Sequence, residues 1–60
     1  MKLKDAEQLA KRRARLHGES YYVYLEDAEL QDYGIASEFN DNAYYGQTPV
    51  IGFDPNGDVL

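Results

Sequence analysis

Apolar positions at the start of the chain recur at helical spacing. Wound at about 100° per residue, Leu3, Ala6, Leu9, Ala10, Ala14 and Leu16 share one arc, so residues 3–17 predict an amphipathic surface helix. Arg13 falls inside that arc, where its stem is expected to lie along the apolar surface while the guanidinium reaches water or an acid. Asp5 and Gln8 have the spacing of a capping box, and Gly18 after His17 is a suitable residue for leaving a helix.

From Ser20 the period changes to two. Ser20–Glu26 is rich in aromatic and β-branched residues and predicts a strand. Alternation sets Tyr21, Val23 and Leu25 on the face expected to meet the helix, and Tyr22, Tyr24 and Glu26 on a face expected to stay open. Asp27–Asp32 reads as a connection with a helical turn that buries Leu30. Tyr33–Phe39 alternates again, with Tyr33, Ile35, Ser37 and Phe39 together, and Asn40–Thr48 reads as a polar surface loop. Val50–Asp54 and Asp58–Leu60 flank Asp-Pro-Asn-Gly. Pro55 suits the first central position of a type I turn, and Gly57 the positive φ that closes a bulged hairpin. The expected fold is α+β: one N-terminal helix on a three- to four-stranded antiparallel sheet, as a single domain spanning 1–60.

Size limits what such a chain does. At 60 residues it buries only about 60% of the surface that the unfolded chain exposes, so its stability is expected to be marginal, and a homodimer or a partner would add to it. Cysteine is absent, which excludes disulfides and thiolate metal sites. No apolar run has the length of a membrane span or signal peptide, so membrane association is not expected and a cytoplasmic location is.

Charge changes the picture more than composition does. The six cations, Lys2, Lys4, Lys11, Arg12, Arg13 and Arg15, all precede Gly18, whereas nine of the eleven acids follow it with no Lys or Arg among them. Cations late in a helix complement its dipole, which accounts for much of the basic cluster without a ligand. The stripe Lys4, Lys11, Arg12 and Arg15 would also suit phosphates, making direct nucleic-acid binding the competing reading, although the acidic remainder repels a polyanion.

Catalytic and metal chemistry find little support. His17 is the only histidine, and Ser20 or Ser37 would meet it only by chance of folding, so no catalytic residue is assigned and no enzyme is expected. Asp54, Asn56 and Asp58 open like a calcium loop, but the sixth-position glycine and bidentate Glu are missing, and a turn accounts for them. Neither metal nor cofactor is expected.

The acidic part is also tyrosine-rich, holding all six Tyr of the chain. Tyrosine offers large contact area at small entropic cost and is enriched at protein interfaces. Tyr22, Tyr24, Tyr44 and Tyr45, ringed by Glu26, Asp27, Glu29, Asp32, Glu38 and Asp41, form the candidate partner-binding set. It implies a basic protein partner, engaged at a nucleic-acid-binding site, with the chain expected to act as a small acidic inhibitor and nucleic-acid mimic. Phage-type inhibitors share this size and charge, which is an analogy and not a family. The third expectation is a homo-oligomeric structural protein in which the basic helix of one copy meets the acidic sheet of another.

Overall fold

The computed structural model describes residues 1–60 and contains one helix, α1 (Leu3–His17), and three strands, β1 (Tyr21–Asp27), β2 (Asp32–Ser37) and β3 (Ile51–Phe53). A single turn of 3-10 helix, Asn42–Tyr44, lies between β2 and β3. The sheet is antiparallel with order β2-β1-β3, and α1 packs on one face of it, the expected α+β arrangement. β1, with the strongest aromatic and β-branched run, takes the centre, where both of its backbone edges are paired.

α1 approaches the sheet through alanines. Ala6, Ala10 and Ala14 are fully buried, one above the other on the helix face, against Tyr21, Val23 and Phe53. Tyr33, Ile35 and Ile51 pack around them. Small side chains bring the helix backbone near the strands, and this narrows the buried arc relative to the expected one. Leu9 is only half-buried, Leu16 is 75% exposed and Arg13 is exposed. Val23 is the only large side chain that is completely buried.

The helix ends differ in how well local pattern describes them. The helix begins at Leu3, before the expected capping box; its N-cap, Lys2, makes no side-chain capping bond, and Asp5 sits in the first turn. At the other end Gly18 adopts the left-handed conformation (φ 66°), and its N–H donates to the Ala14 carbonyl at 2.9 Å.

The hairpin of β1 and β2 turns through Ala28–Gln31, where Gln31 holds a positive φ of 50° and Asp27 Oδ1 accepts the Leu30 N–H at 3.1 Å. That turn exposes Leu30, contrary to the expected burial. A bulge between Leu25 and Asp27 precedes it. Phe39 also departs from expectation. β2 stops at Ser37, whose carbonyl accepts the Asn40 N–H at 3.1 Å, and this turn throws Phe39 out to 72% exposure. After β3 the chain reverses through Asp54–Gly57 and returns as a single bridge, Phe53 to Val59, instead of a full fourth strand.

Candidate protein-binding face

The face of the sheet away from α1 is built by alternation. Tyr22 and Tyr24 of β1 lie opposite Ala36 and Gly34 of β2, and Tyr22 lies opposite Gly52 of β3 on its other side. Two missing side chains make room for rings. A Cβ at Gly52 would stand 2.7 Å from the Tyr22 ring, and a Cβ at Gly34 would meet the Tyr44 hydroxyl and the Glu26 carboxylate. The glycines are there for space.

Tyr24 does not stand open as alternation alone suggests. The 3-10 turn carries Tyr44 back over the sheet, where its ring stacks on Tyr24 with centroids 4.3 Å apart and planes 3° from parallel. Tyr24 is left 4% exposed, so the residue expected to anchor a partner is a buried support for one. The Tyr44 hydroxyl donates to Glu26 Oε2 at 2.9 Å, above Gly34. Burial, the bond to Glu26 and neighbouring negative charge push the Tyr44 phenol up to about 12. Burial and the nearby Asp41 carboxylate raise Tyr24 as well.

The candidate acids separate into groups. Glu26, Asp32 and Asp41 stand close enough to the Tyr24–Tyr44 stack for their charges to disfavour ionisation of the rings. Asp32 is held below the usual carboxyl range, first by a hydrogen bond from the Met1 amine and then by its charge; this is the only ion pair in the structure. Asp27 and Glu29 belong to the β1–β2 turn, and Asp27 is occupied with the Leu30 N–H. Glu38 sits at the opposite end of β2 and accepts the Ser20 N–H at 3.3 Å. Tyr22 is half-buried, whereas Tyr45 is 92% exposed. One face therefore collects Tyr22, Tyr24, Tyr44, Glu26, Asp32 and Asp41, with Tyr45 beside it in sequence. Asp27, Glu29 and Glu38 lie at its ends.

The basic residues other than Lys2, the N-cap, occupy α1. Lys4, Lys11, Arg12 and Arg15 are all exposed on the helix. Arg15 is committed internally: its Nε–H donates to the Asn56 carbonyl at 3.0 Å across the β3 turn. Lys2 Nζ reaches the Leu30 carbonyl at 3.3 Å. Lys4, Lys11, Arg12 and Arg13 make neither an ion pair nor a side-chain hydrogen bond.

His17 stacks on Tyr21 at 6.1 Å at the helix end. Asp54 Oδ1 accepts the N–H groups of Asn56 and Asp58 at 2.9 and 3.0 Å, so the calcium-like spacing serves to close a turn. Phe39 belongs with the exposed aromatic set, because the alternation that groups it with Tyr33, Ile35 and Ser37 stops at the end of β2. The Asn40-Asp41 pair that follows it is the local signal for an earlier strand end. No helix is long and apolar enough to cross a membrane. No protein-family model, curated protein or solved structure matches the chain.

Proposed function

We propose that the protein is a small non-enzymatic interaction protein whose acidic tyrosine face occupies a basic site on a larger protein, of the kind that binds nucleic acid, and so inhibits it. The observation that supports this reading is the gathering of Glu26, Asp32 and Asp41 around the Tyr24–Tyr44 stack, on the sheet face away from the helix that carries every Lys and Arg except Lys2. Tyr22, Tyr44 and Tyr45 are the anchors, and Tyr24 supports Tyr44 from below. Like-charged carboxylates around flat aromatic surface suit a partner rich in Arg and Lys, and their long-range field speeds the encounter.

Salt dependence tests the mechanism. With the partner recovered from cell extract and purified, the association rate should fall at least about tenfold as ionic strength rises from low to physiological values. The triple variant Glu26→Gln, Asp32→Asn, Asp41→Asn should associate more slowly, with Tyr44→Phe as a control for the lost Tyr44–Glu26 bond. A salt-independent rate, or full-speed binding by the triple variant, overturns the reading.

A further inference from the structure

We infer that the groove between α1 and β3 is a second binding surface, and that it receives the Glu38–Tyr45 segment of another copy of this chain. The groove has a volume of about 310 Å³ and runs between Glu7, Gln8 and Lys11 of the helix and Ile51, Phe53 and Val59 of the hairpin. It continues around the helix into a shallower concavity bordered by Lys11, Arg12 and Arg15. Its origin is local. β3 is only three residues long, and the chain beyond it returns through one bridge, leaving Val59 64% exposed beside the half-buried Ile51.

The apolar floor is bordered by Lys11 and Glu7, and the adjoining concavity adds Arg12 and Arg15, so the surface as a whole carries an excess of cations and selects an occupant that is both apolar and acidic. Lys11 and Arg12 have no partner within the molecule. A phosphate backbone would satisfy those charges but leave the Ile51 and Val59 floor uncovered. The chain itself offers a segment with both properties. Glu38–Tyr45 exposes Phe39 at 72% and Tyr45 at 92%, carries Glu38 and Asp41, and contains no cation. Aromatic anchors set among opposite charges are the combination that protein interfaces favour.

The geometry also decides the kind of contact. The segment follows β2 and folds over the outer sheet face, while the groove lies on the helix side at β3, the other edge of the sheet. A copy therefore does not fill its own groove; two copies either exchange segments reciprocally as a closed two-fold dimer or join once and leave one groove and one segment free. The single contact is head-to-tail and propagates into a chain or closes into a ring. It draws on Glu38, Asp41 and Tyr45, so self-association competes with the proposed partner for part of the same surface.

Sedimentation of the purified chain tests this without any partner. In about 20 mM salt the average mass should rise with concentration above the 6.9 kDa monomer, and in about 500 mM salt, where the screening length falls to about 4 Å, the same concentrations should give a mass much closer to the monomer. A groove variant, Lys11→Ala with Arg12→Ala, and a segment variant, Phe39→Ser with Tyr45→Ser, should each associate at least tenfold more weakly. All four positions are exposed, and circular dichroism checks that both variants remain folded. Mixed in equal amounts, the two should form a heterodimer and nothing larger, because one intact groove meets one intact segment. A monomer at every concentration in low salt, wild-type assembly by either variant, or a mixture that stays monomeric overturns the inference. So does retention of short RNA or DNA by the non-assembling wild-type protein and not by the groove variant, which would give the groove to nucleic acid.

Discussion

Gly34 controls the outer face of the sheet because the space above it holds the Tyr44 hydroxyl and the Glu26 carboxylate together. Gly34→Ala should push both groups away and cost about 1–3 kcal/mol from overpacking, partly offset by the better strand preference of alanine, as read from urea unfolding. The same variant should return the Tyr44 phenol toward the ordinary 10.0 from about 12. Tyr44 also makes the wild-type fold sensitive to alkali. Its neutral form is favoured in the folded state, so the stabilisation is complete below pH 10 and is lost as pH rises through about 12. Ultraviolet titration of tyrosinate should show Tyr44 ionising last, and Tyr44→Phe should remove that late step. Alternation correctly set Tyr22 and Tyr24 away from the helix. That Tyr44 returns to cover Tyr24 was not legible, because nothing in the spacing of one strand says where a distant loop residue will land.

Arg15 and Arg12 look alike in the sequence, and the packing of α1 against the β3 hairpin separates them. Arg15 holds the Asn56 carbonyl and lies against Gly57, whose φ of 85° closes the turn, whereas Arg12 has no partner. Arg15→Ala should cost about 1 kcal/mol of stability, and Arg12→Ala should stay within about 0.5 kcal/mol, measured by thermal unfolding of the two variants side by side. The helix, β1 and the turn at Pro55–Gly57 were legible because each follows from local preference: periodicity, β-branched and aromatic content, and turn chemistry. The ends of β2 and α1 were less so. Phe39 continues an alternation that the Ser37–Asn40 turn interrupts, and Leu16 continues a helical stripe beyond the region that the sheet covers.

Across the whole molecule, burial is thin and charge is separated. A chain of this size has roughly 3–9 kcal/mol of stability to lose, and Val23 is the only large side chain removed entirely from water. Val23→Ala should therefore cost about 1–3 kcal/mol and shift the urea midpoint more than any comparable truncation at half-buried Ile35 or Ile51. The radius of gyration, 10.5 Å, matches the ~10.4 Å of a compact chain of this length, so the small core is nonetheless closely gathered. Separation of charge was visible at once in the order of residues: all six cations before Gly18, nine of the eleven acids after it. Periodicity likewise dictated a basic helix and a tyrosine-bearing sheet, since both follow from near-neighbour sterics and from the need to bury one face of each. Which acids stand together was settled only by the folded chain. Strand register brings Asp32 and Gly34 beside Tyr24 and Glu26, and the 3-10 turn then delivers Asp41 and Tyr44 to the same place. Those contacts join segments far apart along the chain. Their energies depend on distances that do not exist until the sheet has paired.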